Sequence, residues 1–423
     1  MTVAFLVGAL KSVIAVVAVF VVSIVLHEFG HFIVAKRFGV AVPAFAVGFG
    51  PKLFKRTWRG TEYSVRLFPI GGLVQLAGEM PQDALFRKGE QIAVKLNSEG
   101  WVTVVGDPVD VRDGIVGTLR DLDLRDRLQM TIEQDGESTT YKLVPHTKLM
   151  MNARSSMPLV EKHEQMMGKP IWQRAAIILA GPVMNFLLAG VLFSLLYAHT
   201  GIPLNAPTLG KIIPGSAAAS AGLMQGDRVV SVNGHTVSNW MDLVTQIQND
   251  KGNPPKPLTL KIDRSGRSEQ VVVTPRLNQG VPMLGVDQPV SHDKLRAVGG
   301  GFASVYYGSV NALHLYGQVI QHPHKQMGNL SGPVGIADVI GQQAQLGIWH
   351  VIMITGLLSL NLGLFNLLPI PALDGGRLLF MLFELVRGKA VDPRKEGFVH
   401  FVGFALLMLF AVVVTYRDVT RLF

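Results

Sequence analysis

The chain contains no cysteine in 423 residues. That excludes disulfides, thiol nucleophiles and thiolate metal sites, and leaves His, Asp and Glu as the side chains able to hold a metal. Charge is also scarce. Asp, Glu, Lys and Arg make up 16% of the chain, against about 25% in soluble domains, whereas hydrophobic residues make up 48%. This balance points to a membrane protein carrying one or two soluble parts, since the length exceeds one ordinary domain. Acidic residues number 30 against 39 basic ones, a net charge of +9. The basic residues are dispersed and flank apolar runs, so they read as membrane-edge charges and not as a nucleic-acid surface. The first apolar run lacks a small-residue cleavage site and is longer than a secretory core, so it is expected to stay as a spanning helix.

What is present begins with that run. Residues 3–26 are interrupted only by Lys11 and two serines, long enough to cross a hydrocarbon layer of about 30 Å. The same helix continues through His27-Glu28-Phe29-Gly30-His31 to Lys36-Arg37. Histidines four apart share one helix face, so both imidazoles can reach a single ion, with Glu28 beside them as a base. This is the pattern of a zinc hydrolase, in which three protein ligands leave one position for water. At 1.5 Å per residue the two histidines lie roughly 7 and 14 Å inside the charged helix end, where ionisable groups are costly and mark function. The bland alternative is a pair of histidines snorkelling at a helix end.

Further along, spanning runs are expected at 172–199, 347–368 and 397–416. Lys36, Arg37, Lys52, Lys55 and Arg56 follow the first span, and Arg377, Arg387, Lys389, Arg394 and Lys395 lie between the third and fourth. By the positive-inside rule these loops are cytosolic, and the termini and residues 200–346 are outside. Residues 61–68 alternate as a half-buried strand, Pro69-Ile70-Gly71-Gly72 turns the chain, and a second strand follows. The edge carrying Tyr63 and Val65 could accept an extended peptide by main-chain hydrogen bonds, or the hairpin could only pack on the helices. Residues 81–168 are polar and strand-rich, with an Asp135-Gly136 hairpin signal. In the second span, Asn185 follows Gly181-Pro182 and should face inward, to line the metal cavity or to bond a neighbour. Residues 207–276 resemble a PDZ domain. That likeness implies that Gly222-Leu223 lies where such domains approach a peptide terminus; an occluded groove acting as a filter is equally allowed.

The third span ends in a run from Asn361 and Asn366 through Pro369 and Pro371 to Asp374-Gly375-Gly376. Each proline biases its predecessor away from helix, so the chain must unwind. Unwound backbone at membrane depth survives only inside protein or beside a wet cavity. Asp374 emerges where the chain can turn back toward the first helix, and is the expected third ligand. Its alternative role is an N-cap for residues 375–387.

With these motifs together, the chain resembles the site-2 protease family of intramembrane zinc metalloproteases, and is most similar to bacterial regulator-of-sigma-factor proteases. It departs from the two-PDZ pattern by having one such domain. The resemblance implies Zn2+ held by His27, His31 and Asp374, Glu28 as general base, and Asn361 and Asn366 positioning substrate. It also implies single-pass membrane substrates, already trimmed by another protease, such as anti-sigma factors or signal-peptide remnants. The expected fold is an α-helical multi-pass membrane protein with four transmembrane helices, a membrane-associated β-hairpin and an inserted α/β PDZ domain. Its expected parts are residues 1–37 (first span and motif), 45–80 (reentrant hairpin), 81–168 (cytosolic β insert), 172–199 (second span), 205–290 (extracytosolic PDZ domain), 295–346 (linker with an amphipathic helix), 347–376 (third span and ligand segment) and 397–416 (fourth span). The active site is expected near the cytosolic face of the cell membrane. The competing function is a non-catalytic, membrane-tethered PDZ binding protein.

Overall fold

The computed structural model describes residues 3–78, 86–124, 127–152, 155–249, 255–278, 280–322, 331–389 and 391–422. The chain divides into two compact units, residues 1–189 with 305–423, and residues 190–304. In chain order its helices are α1 (Val3–Arg37), α2 (Ile171–Thr200), α3 (Ala217–Ser220), α4 (Trp240–Gln248), α5 (Lys294–Gln321), α6 (Pro333–Leu346), α7 (Ile348–Leu367), α8 (Asp374–Arg387) and α9 (Pro393–Leu422). Among the described residues four helices, α1, α2, α7 and α9, are long and apolar enough to cross a membrane.

Local chemistry explains where these helices stop and bend. Lys36 and Arg37 occupy the last turn of α1, where positive charge suits the helix dipole. Pro182 lies inside α2 and brings no amide proton, so the Ile178 carbonyl loses its helical donor. At the end of α7, Leu368 is extended at φ −64° and ψ 141°, as the following proline demands. The linker before α7 holds a helix that sequence patterning did not bring out. This helix, α6, has Pro333 in its first turn, and Asp418 of α9 accepts the Gly335 amide at 2.8 Å. Helix α6 is tied to α1 through Gln345, which donates to the Gly8 carbonyl at 2.8 Å and to Ser12 Oγ at 2.9 Å.

Strands β1 (Ala44–Trp58) and β2 (Thr61–Gln75) follow α1. The reversal falls at Arg59-Gly60, with φ of 47° and 77°, and not at Pro69–Gly72 as the sequence suggested. Two left-handed residues make the two-residue turn that hairpins favour. Residues 69–72 instead continue β2. Residues 44–47 lie between two parts of β2, pairing with 62–65 on one side and 72–75 on the other. Tyr63 therefore pairs with both Phe45 and Arg56, and Val65 with both Val47 and Phe54. That edge is already occupied.

Strands β3 (Gln91–Leu96), β4 (Val102–Gly106), β5 (Ile115–Asp123), β6 (Gln129–Gln134), β7 (Glu137–Asn152) and β8 (Ser155–Pro158) form the insert between α1 and α2. Pairings run β4-β3-β5-β6-β7-β8, and β4 also pairs with β7. The first five of these strands thus close into a barrel around Ile92, Val94, Leu119, Ile132 and Leu149. Asp135 and Gly136, at φ 49° and 87°, turn β6 into β7.

The second unit contains β9 (Ile202–Pro203), β10 (Arg228–Val232), β11 (His235–Thr236), β12 (Leu258–Arg264), β13 (Arg267–Val273), β14 (Arg276–Asn278), β15 (Val281–Met283) and β16 (Val290–Ser291). Its main sheet has the order β11-β10-β12-β13, with Leu258, Leu260 and Ile262 alternating into the core. Asn239 caps α4 by accepting the Asp242 amide at 2.9 Å.

Gly222 and Leu223 do not line a peptide groove. Leu223 is buried in the core, and the Gly222 carbonyl accepts from Arg264 at 2.9 Å. Arg264 also grips Asp227 through Nε at 2.8 Å and Nη2 at 2.7 Å, and Asp227 accepts the Met224 amide at 2.8 Å. The segment's polar groups are consumed in holding its own turn. The apolar groove of this unit, about 140 Å3, lies elsewhere, between Trp240, Val244 and Ile247 of α4 and residues 282–286.

Candidate metal centre

Helix α1 carries His27 and His31 side by side, both buried, and α8 begins with Asp374 facing them. The three atoms His27 Nε2, His31 Nε2 and Asp374 Oδ2 stand 3.2, 3.2 and 3.4 Å apart. Tetrahedral zinc with bonds of about 2.0–2.1 Å places its ligand atoms about 3.3 Å apart. The donor set and its spacing fit that ion. Asp374 Oδ2 is buried without a hydrogen-bond partner, which a cation would supply.

Each imidazole is oriented through its other nitrogen. His31 Nδ1 lies 2.8 Å from the Ile177 carbonyl, which can only accept, so the proton is on Nδ1 and the Nε2 lone pair points at the cage. His27 Nδ1 lies 3.1 Å from the amide nitrogen of Asn185. Asn185 is fully buried and its Oδ1 has no partner. Turning that amide over, which changes no shape, lets Oδ1 accept from His27 Nδ1 and satisfies both groups.

Two glycines bring the helices this close. A Cβ on Gly30 would strike the Ala180 carbonyl, and one on Gly181 would strike both imidazoles. Helix α8 is fastened to α2 by the Arg174–Glu384 ion pair, in which the guanidinium side chain is 5% exposed. A cavity of about 200 Å3 opens on the cage, lined by His27, Glu28, His31, residues 72–74 and 76 of β2 and its continuation, Ile178, Ala372, Asp374 and Arg377. Glu28 lies against Gly72, whose missing side chain leaves room for its Cγ. The Val74 backbone also hydrogen-bonds the Glu28 carboxylate.

Of the residues singled out from sequence, the structure brings His27, Glu28, His31 and Asp374 together. Asn361 and Asn366 do not line the cavity; Asn361 accepts from Tyr316 at 2.6 Å and donates to the Leu357 carbonyl at 2.8 Å. Tyr63 packs its ring on Phe32 and Phe45, and neither it nor Val65 reaches the cavity. The segment beside the cage is 72–76, in which the sequence suggests a turn at Gly72 and the second strand of a hairpin from Leu73. Its paired glycines were the available signal, because only a strand without side chains can pass so close to Glu28.

A His-Glu-x-x-His motif on a helix of spanning length, met by a distant aspartate, defines a metallopeptidase built into a membrane. Residues 15–410 match the family described as Peptidase family M50. The chain belongs to that family, the intramembrane metalloproteases of site-2 type. It is 39% identical over 424 residues to "Zinc metalloprotease RasP" of Geobacillus kaustophilus, covering 99% of this chain and 100% of the relative. It is 35% identical over 422 residues to "Regulator of sigma-W protease RasP" of Bacillus subtilis, covering 98% and 99%. A solved PDZ domain of an SdrC-like protein from Listeria innocua is similar over 21% of this chain and 98% of its own, with 14% identity and a TM-score of 0.18.

Proposed function

We propose that His27, His31 and Asp374 hold Zn2+, that Glu28 is the general base, and that the enzyme cleaves a single-pass membrane protein within its spanning segment. The observation that carries this reading is the triangle of 3.2, 3.2 and 3.4 Å between the donor atoms. When bound, the ion would supply Lewis acidity and lower the pKa of a water. Glu28 takes the proton of the attacking water and delivers one to the leaving amide nitrogen. The Val74 amide holds the Glu28 carboxylate in place. Ile177 and Asn185 hold the two rings with their Nε2 atoms converged.

The cavity of about 200 Å3 is too small for a folded helix, which is about 10–12 Å across with its side chains. Substrate therefore enters unwound. Among the described residues, 72–75 pair with 44–47 on one side only, so their other edge is the place for an extended peptide to add by main-chain hydrogen bonds. Phe49, Leu53, Phe54, Trp58 and Phe68 are exposed on the hairpin and interleave with Lys52, Lys55 and Arg56, which suits immersion at the bilayer edge. Asn361 and Asn366 act from a distance, by shaping α7.

All four apolar helices cross the membrane in this reading. The basic loops after α1 and α8 are cytosolic, the barrel with them, and residues 205–290 form an extracytosolic PDZ domain whose groove lies along α4. The family resemblance implies substrates already shortened by another protease. The Bacillus relative is named "Regulator of sigma-W protease RasP", and membrane-anchored regulators of sigma factors are the substrate class proposed here. In proteoliposomes with a single-span substrate, Glu28→Gln should lower turnover by about 10²–10⁴-fold while zinc content stays at one ion. Undiminished turnover would remove Glu28 from the mechanism.

A further inference from the structure

Asp374 enters the cage from a short loop held in an unusual shape. Between Leu368 and Asp374 the chain is irregular, with one internal bond from the Ile370 amide to the Leu368 carbonyl at 2.7 Å and another from the Leu373 amide to the Ile370 carbonyl at 3.2 Å. Ala372, two residues before the aspartate, takes φ of 76°. A residue with a Cβ enters that left-handed region only where its surroundings hold it there.

What holds it comes from α9. His400 Nδ1 lies 2.8 Å from the Ala372 amide nitrogen. One turn on, Gly403 seats Pro371, since a Cβ at 403 would strike the proline ring and its carbonyl. The helix thus receives two consecutive loop residues, one by space and one by a hydrogen bond. A backbone amide can only donate, so Nδ1 supplies the lone pair and the imidazole is neutral, with its proton on Nε2. The ring itself is fixed against Phe380, with centroids 5.6 Å apart.

We infer that His400 is a positioning residue for the reaction: by accepting the Ala372 amide it fixes the left-handed turn from which Asp374 reaches His27 and His31. This rests on the reading of Asp374 as a metal ligand. The hydrogen bond, and not the bulk of the ring, carries the effect, and the two can be separated. Phenylalanine keeps the ring and loses the acceptor, whereas asparagine places Oδ1 where Nδ1 stood.

The test is zinc affinity of the purified full chain in detergent, measured by competition with a chelating dye. His400→Phe should bind zinc about 10–100-fold more weakly, the usual cost of losing a supporting hydrogen bond, and His400→Asn should recover most of that loss. Adding Ala372→Gly to His400→Phe should also restore affinity in part, because glycine adopts positive φ unaided. Wild-type affinity in His400→Phe, or no recovery in His400→Asn, overturns the inference. Should His400→Phe not fold, His400→Gln replaces it: its acceptor lies beyond the Nδ1 position, so affinity equal to that of His400→Asn overturns the inference and a weaker one supports it. Asp374→Asn serves as the control. If that variant binds zinc normally, the ligand reading itself fails; if it loses zinc while His400→Phe keeps it, only the role of His400 falls.

Discussion

Two carboxylates, one in each unit, meet opposite fates. Asp227 is 2% exposed and its oxygens accept from Arg264 twice and from the Met224 amide. Asp374 is only partly covered, yet its Oδ2 is sealed in and has no hydrogen-bond partner; its nearest neighbours are two ring nitrogens turned toward it with their lone pairs. A carboxylate whose lone pairs are filled by the chain is architecture. One that faces other lone pairs has the donor arrangement of a cation site, since burial makes such an arrangement costly for the chain alone. The difference separates a structural knot from a functional site more sharply than burial alone.

The comparison can be broken most directly by exchanging charge for amide at each position. Asp374→Asn should lose zinc in metal analysis and reduce cleavage to background, whereas Asp227→Asn should keep its zinc; a zinc-free Asp227→Asn would erase the distinction. Next in size, Gly181→Ala places a methyl against both imidazoles, and misplacement of that order costs up to about 10²-fold in turnover; a kinetic assay showing wild-type turnover would mean that the rings have slack. The smallest effect should be on stability with pH. Hydrogen bonds from Arg264 hold the Asp227 carboxyl below its ordinary range. A depressed folded pKa stabilises above the unfolded value of about 3.9 and is lost as pH falls through and below it. Thermal melts of the second unit within the full chain should therefore decline below about pH 4, and Asp227→Asn should melt lower at neutral pH with a flatter acid limb. An unchanged acid limb in that variant would show that the Arg264 pair does not govern the unit.

The cage was legible because its chemistry is written in residue types at fixed spacing. His27 and His31 declare a shared helix face, and prolines 369 and 371 announce an unwound segment ending at Asp374. The strand beside the cage was less so. Arg59-Gly60 carries the reversal without the Asn-Gly or Asp-Gly pair that marks such turns, and Pro69–Gly72 looked like the better turn. That shift moved the free edge from Tyr63 and Val65 to residues 72–75. Gly222-Leu223 misled for a different reason: the guanidinium that ties down this turn belongs to Arg264, and no local pattern reveals a partner so far along the chain. Closure of the barrel was hidden likewise, since it depends on Val102 pairing with Leu143 and Val105 with Leu149. Helix α6 was masked by its glycines, and its separation from α7 rests on Gly347 at φ 128°.

The order in which the cage residues occur along the chain has a consequence for biosynthesis. Asp374 follows His31 by 343 positions, so at about 5–20 residues per second a ribosome needs roughly 20–70 s to travel between them. On the proposed ligand set, the nascent polypeptide, already threaded into the bilayer among other newly inserted proteins, carries two of the three groups throughout that interval. With Asp374 as the third ligand, competence is postponed until that residue has been added.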